Sequence, residues 1–313
     1  IRIHGSKRLI CNAILRQQTT TMKDTTKGYL LGALSAASYG INPLAVNLYN
    51  DGFNTDSVLF YRYALAIVFI GILMLLQGES FKINRKETLQ LLFMGILMSI
   101  SSISLFESYN YIDVSIASTL LFVYPALVTI IMMLFYKERP SISIILALLG
   151  VGLGITLLNK GEVSSSQNIF GVSIVILSSL TYAIYIVMTQ KSSTLRNLSS
   201  LKLSFYALTF GILLFVARMI CGNELYPLTN MSHYGYVITL ALFPTLISLT
   251  AMAKAIKYVG PTPTAIMGAL EPVTAVILGI IILGERPSIW AYIGMIIIVA
   301  SITLIITSKN KTT

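Results

Sequence analysis

Charge, histidine, cysteine and tryptophan are all scarce in this sequence, and each shortage removes a class of function. Only 11% of the 313 residues are charged, against roughly 25% in a soluble domain, so most of the chain is not built for water. Two histidines, His4 and His233, and two cysteines, Cys11 and Cys221, offer no zinc or haem spacing and no disulfide framework. No metal and no cofactor are expected. A GxxxxGK[ST] loop is missing, which argues against ATP-driven work by this chain alone. The apolar segments hold no nucleophile with a base and no paired carboxylates at helical spacing, so the chain reads as no enzyme.

What the chain has in quantity is apolar length. Hydrophobic residues make up 55% and the mean hydropathy is +0.80. Ten apolar segments of about 18–23 residues lie near 28–49, 55–77, 88–107, 114–136, 141–158, 169–190, 200–220, 233–253, 264–283 and 288–307. Each is long enough to cross a hydrocarbon core of roughly 30 Å as a helix. Helices satisfy their own backbone groups in lipid, and unbroken apolar runs lack the alternation of a barrel strand. The expectation is an all-α membrane protein with ten transmembrane helices.

Residues 1–27 are polar and basic, and no apolar run follows the first basic cluster, so a cleavable signal peptide is not expected. Met22 stands just before the first apolar segment. Residues 1–21 therefore read as upstream residues without function; a basic arm on anionic lipid is the competing reading. With the N-terminus cytoplasmic, the outer loops hold only Lys160, Arg218 and Arg286, and Arg62 lies inside a helix. The other 18 of 22 basic residues then face inward. The net charge of +10 is thus a topology signal, with both termini cytoplasmic, rather than a nucleic-acid footprint.

The stretch Gly268 to Pro287 repeats the skeleton of Leu121 to Pro140, found 147 residues upstream. Pro125 matches Pro272, Glu138 matches Glu285, Arg139 matches Arg286 and Tyr111 matches Tyr258. Gly28 and Tyr39 are spaced as Gly171 and Tyr182 are. The chain therefore divides into 28–158 and 159–313, five helices each. Five is odd, so the second unit enters the membrane inverted, which is how secondary transporters are built around a midplane site.

The chain resembles the EamA-type family of the drug/metabolite transporter superfamily. The residues carrying the likeness are Tyr39-Gly40-Ile41-Asn42-Pro43, Arg62, Tyr124-Pro125 with Glu138-Arg139, and Glu271-Pro272 with Gly284-Glu285-Arg286. It covers residues 28 to 307. Tyr39 and Tyr182 stand where that family often has Trp, and Asn47 where it often has Lys. The resemblance implies export or exchange of small metabolites, often amino acids.

Glu271 lies seven residues into its helix, roughly 10 Å from the inner edge. A carboxylate there costs on the order of 2.5–3.5 kcal/mol, so it should face a cavity or a partner. It either binds the cationic part of a substrate or a coupling proton, or ties neighbouring helices together as a fixed hydrogen-bond partner. Its counterpart in the other repeat is Tyr124, so the acid belongs to one half only. Arg62 sits at a similar depth: it either pairs with Glu271, brackets a zwitterion with it, or snorkels outward. Pro125 and Pro272 leave the carbonyls of Leu121 and Gly268 without their helical donors; these either coordinate substrate or sit at a helix break or hinge that lets the halves rock, and Pro43 reads the same way, with Asn42 a candidate substrate contact. Tyr39, Tyr124 and Tyr182 are candidate cavity walls. Glu138, Arg139, Glu285 and Arg286 are hairpin residues, with Pro opening the next helix. A strip of Ala147, Gly154, Gly294 and Ser301 packs either within the chain or in a dimer, leaving the oligomeric state open.

Together these readings specify a secondary active transporter of the bacterial inner (plasma) membrane. It works by alternating access on a small-molecule substrate, with protons a candidate coupling ion and the lipid bilayer as its setting. A multidrug or other solute permease of the same fold is the alternative, and a receptor or scaffold a more distant one.

Overall fold

The computed structural model describes residues 24–42, 48, 51–112, 117, 120–158, 169–222, 224–278, 280–281 and 287–309. Among these residues there is no strand. Helix α1 covers 24–39. It is followed by α2 (Thr55–Leu76), α3 (Arg85–Ser108), α4 (Tyr124–Tyr136), α5 (Ile142–Leu158), α6 (Ile169–Lys191), α7 (Ser200–Ile220) and α8 (Met231–Val259). Helix α9 comes in two pieces, Pro261–Met267 and Leu270–Leu278, and α10 is Ile289–Lys309. Six helices (α2, α3, α6, α7, α8 and α10) are long and apolar enough to cross a membrane; α4 and α5 are shorter apolar helices.

Local chemistry sets the starts. Asn54 opens α2 by accepting from the Ser57 amide at 2.8 Å. Asn84 and Glu87 form a reciprocal box at the start of α3, and Ser199 accepts from Lys202 at the start of α7. Each satisfies amides that the helix itself leaves without acceptors.

The distribution of polarity suits lipid. Large apolar side chains such as Leu76, Phe135, Ile142, Leu149 and Ile296 point outward, while Ser99, Ser101, Ser178, Ser204 and Ser248 are buried. Helix α3 packs against α6 and α7, α2 against α7, and α5 against α10. Between α5 and α10 the small residues do the fitting. A Cβ on Gly154 would meet the Gly294 carbonyl at 2.8 Å, and one on Gly150 would meet the Ser301 hydroxyl. The small-residue strip therefore packs within the chain.

The ninth span, expected over 264–283 with a break or hinge at Pro272, is in two pieces. The helix begins at Pro261 and is interrupted at Gly268–Ala269. Pro272 has no N–H to give the Gly268 carbonyl; the Glu271 amide takes that acceptor instead, at 2.8 Å, and the helix restarts. The first repeat does the same, with α4 starting at Tyr124–Pro125. Both prolines thus stand in the first turn of a helix, where a missing N–H costs nothing. The Leu121 carbonyl accepts from the Ser179 hydroxyl at 3.0 Å, so neither freed carbonyl is open.

An approximate twofold relates the halves, visible as contacts made twice with the partners exchanged. Gly28 packs on Tyr258 and Val259, and Gly171 on Tyr111 and Ile112. Ser35 meets Ser248, its hydroxyl donating to the Ser248 carbonyl at 2.9 Å, and Ser178 meets Ser101, donating to its carbonyl at 2.8 Å. The Tyr61 hydroxyl donates to the Tyr226 carbonyl at 2.9 Å, as the Tyr206 hydroxyl does to that of Phe81. The first helix of each half is held by the third helix of the other, and the second helix by the loop before that third helix.

Candidate functional site

The break in α9 puts Glu271 in the first turn of the helix piece Leu270–Leu278. The partial positive charge of a helix start favours a carboxylate there. Glu271 is half-buried, and its carboxylate forms no hydrogen bond or ion pair with any described residue. A Cβ on Gly40 would meet the Glu271 carbonyl at 2.6 Å, so the end of α1 lies directly against this turn and brings Tyr39 with it. From α4, the Tyr124 hydroxyl rests on Gly268, where an added Cβ would come within 1.6 Å of it. The Tyr182 ring meets Tyr124 edge-to-face with centroids 5.0 Å apart, and its hydroxyl donates to the Met252 sulfur at 3.2 Å. Tyr39 is brought to this turn through Gly40, Tyr124 through Gly268, and Tyr182 through its contact with Tyr124.

These four residues are two repeat-related pairs. Tyr39 corresponds to Tyr182 and Tyr124 to Glu271. Only one of the four is charged.

Arg62 neither pairs with Glu271 nor snorkels outward. It is 1% exposed and forms no ion pair with Glu271. Its Nε donates to the Thr245 hydroxyl at 2.6 Å, Nη1 to Asn42 Oδ1 at 2.9 Å and Nη2 to the Pro244 carbonyl at 3.3 Å. Its Cζ lies 5.7 Å from the Tyr39 ring centroid. Asn42 is thus turned toward Arg62, and Tyr39 stands between Arg62 and Glu271.

The sequence reading missed Pro244 and Thr245. Pro244 cannot donate to the Leu240 carbonyl, and α8 widens into a π turn over Leu242–Ile247. The Thr245 hydroxyl supplies the missing donor, bonding the Leu240 carbonyl at 2.7 Å, and Arg62 then bonds Thr245. A proline followed by threonine inside an apolar span was the available signal.

Glu138 is ion-paired to Lys191 at the C-terminal end of α6. Arg139 lines a cavity of about 740 Å³ with Lys191, Arg196, Met132, Thr262 and Ile305. Pro43, Glu285 and Arg286 lie outside the described residues. At the opposite end of the bundle, Arg218 binds both Asp56 and Glu107 at 2.8 Å. Among the described residues no cluster of His, Cys, Asp and Glu could hold a metal.

Apolar spans around a buried polar interior, with two halves trading contacts about a lone carboxylate, define an integral membrane protein of the transporter class. The chain belongs to the EamA-like transporter family, whose model matches residues 26–160 and again 169–307. It is 21% identical to the "Uncharacterized transporter YxxF" of Bacillus subtilis, over 85% of this chain and 86% of that one. It is 26% identical to an "Uncharacterized transporter" of Archaeoglobus fulgidus, over 87% and 93%. With the "Uncharacterized inner membrane transporter YedA" of Escherichia coli it shares 28% identity over 51% and 52%. A solved crystal structure superposes with a TM-score of 0.74 at 13% identity, covering 88% of this chain and 97% of the other, which shows the shared fold.

Proposed function

We propose that this chain is a secondary active carrier of a small metabolite, exporting or exchanging it by alternating access across a bacterial plasma membrane. Ten helices form two inverted five-helix repeats, 28–158 and 159–313, with both termini cytoplasmic. Substrate sits on the axis between Glu271, Tyr39, Tyr124 and Tyr182, and Arg62 with Asn42 fixes the wall behind Tyr39. Glu271 is also the coupling group: it holds substrate when ionised and carries a proton back when neutral.

The observation that carries this reading is the Glu271 carboxylate, half-buried in an apolar bundle with no partner among the described residues. A buried charge is normally paired, and one kept without a partner is available to a passing ligand. The two ends of the bundle also differ. Lys191 and Arg196 line the open cavity, whereas their repeat counterparts Leu48 and Phe53 are packed away at 0% and 5% exposure. A cavity at the inner end, with the described residues at the matching outer positions packed away, is what an inward-facing state requires.

Counterflow in proteoliposomes tests the proposal. Vesicles preloaded with an unlabelled amino-acid pool should take up labelled amino acids only when the pool is present, and a pH gradient should change the rate. Glu271→Gln should abolish the dependence on the gradient. Unchanged transport and unchanged pH dependence in Glu271→Gln would remove Glu271 from the mechanism.

A further inference from the structure

Beyond the carrier reading, and independently of it, we propose that the cavity at the Lys191 end of the bundle is a binding site for an anionic phospholipid. Two guanidiniums hold the phosphate and an apolar wall takes the acyl chain. The cavity measures about 740 Å³, within the range of sites that hold a small ligand. Arg139, Lys191 and Arg196 line it together with one acid, Glu138. That acid is ion-paired to Lys191, whose Nζ also lies 5.1 Å from the Tyr136 ring centroid. Arg139 and Arg196 have no hydrogen bond or ion pair with any described residue. Two uncompensated guanidiniums therefore line one cavity, each a fork of donors that matches phosphate oxygens.

The backbone under both arginines is fixed. Helix α4 is capped by Lys137, the only described non-glycine residue with a positive φ, 55°. The amides of Lys137 and Glu138 both bond the Met132 carbonyl, which turns the chain sharply and brings Arg139 to the cavity. Glycine is the usual residue in such a left-handed cap, and Gly284 stands at the matching position of the second repeat. The first repeat keeps a lysine there against the steric preference, which adds a cation at the same turn. Arg196 sits in the 3₁₀ turn Leu195–Asn197, pinned by the fully buried Leu195. Met132, Ile144 and Ile305 give the same cavity an apolar wall. A soluble phosphate would leave that wall against water, whereas an acyl chain covers it. Phe135 and Ile142, on either side of the hairpin, are 76% and 77% exposed, so hydrocarbon lies next to the turn that carries Arg139. A phospholipid with its phosphate on the arginines and its chain toward the bilayer meets both demands.

The test follows the thermal unfolding midpoint of the purified full chain in a neutral detergent. Three probes are titrated: phosphatidylglycerol, phosphatidylcholine with the same acyl chains, and glycerol 3-phosphate. A ligand of the folded state raises the midpoint. Phosphatidylglycerol should act at a concentration at least about tenfold lower than phosphatidylcholine, and glycerol 3-phosphate should have no effect. Arg139→Gln combined with Arg196→Gln should unfold at the wild-type midpoint without lipid, because neither side chain has a partner to lose. The same variant should need about tenfold more phosphatidylglycerol, or more than that. Arg85→Gln combined with Lys86→Gln removes equal charge from exposed positions at the start of α3, which the Ser192–Gln90 hydrogen bond ties to the end of α6. That variant should respond as the wild type does. An equal response to phosphatidylcholine, or an equal loss in the Arg85 and Lys86 variant, would show diffuse attraction to the interface and overturn the site. A full response to glycerol 3-phosphate would make the cavity a site for soluble phosphate compounds instead. A lower lipid-free midpoint in the arginine variant would make the arginines structural ties and also overturn the proposal. Counterflow enters none of these readouts, so the carrier reading and the lipid site stand or fall separately.

Discussion

The hydroxyl of Tyr124 occupies the space that a side chain at Gly268 would need. An added Cβ would stand 1.6 Å from that oxygen and 2.9 Å from the ring Cζ. The glycine at the break in α9 is thus required by a tyrosine of the other repeat, one turn from Glu271. Gly268→Ala should destabilise the protein by about 1–3 kcal/mol, the usual cost of overpacking. Tyr124→Phe in the same chain should restore part of the loss, since the oxygen is removed and the ring stays. Thermal unfolding of the purified protein reads both; an alanine variant that melts with the wild type refutes the fit.

Arg62 acts as a three-way tie among α2, the π turn of α8 and Asn42. Its removal leaves buried acceptors without donors, at about 1–3 kcal/mol for each. Arg62→Met should therefore lower stability severely. Arg62→Lys should rescue little, because one ammonium on a flexible stem cannot reproduce a guanidinium fork. If Arg62 instead held the substrate, Arg62→Lys would keep the wild-type melting temperature and lose affinity, and that pattern would contradict the assignment.

Much of the helical fold was legible in the sequence, for a physical reason. Lipid forbids unsatisfied backbone, so an apolar run of sufficient length has to be a helix, and the repeat from Leu121 to Gly268 onward marked the two halves. Tyr39, Tyr124, Tyr182 and Glu271 could be nominated because polar groups deep in apolar helices need a reason to be there. The role of Arg62 was not legible. Its depth suggested a pairing with Glu271, but a guanidinium seeks acceptors of fixed geometry, and the π turn created by Pro244 offered them. Pro272 signalled an irregularity in α9, but not whether the helix bends there or restarts. Proline in a membrane helix either bends or restarts it, and the choice depended on Tyr124 lying across Gly268, a contact between residues far apart in the chain.

Helices α5 and α10 meet through glycines. Gly154→Val would drive a branched side chain into the Gly294 carbonyl, 2.8 Å from the Cβ position, and into Ile298. The expected result is a loss of about 1–3 kcal/mol with the oligomeric state unchanged, read by thermal melting together with light scattering. A variant that keeps its melting temperature but changes its mass would instead place the strip between protomers.

The serine pairs make the sharpest statement about movement. In alternating access by inverted repeats, each half takes up the conformation of the other, so a contact that differs between halves must change, and a contact identical in both must persist. Ser35–Ser248 and Ser178–Ser101 are of the second kind: in each pair the two hydroxyl oxygens lie 3.1 Å apart. In the proposed cycle they mark the fulcrum. The positions that differ, Leu48 and Phe53 against Lys191 and Arg196, mark what swings. Ser35→Cys with Ser248→Cys, and separately Ser178→Cys with Ser101→Cys, should each crosslink under mild copper oxidation and retain counterflow close to that of the reduced protein. A crosslink that stops transport, with recovery on reduction, would show that these helices separate in the cycle, and the fulcrum would have to lie elsewhere.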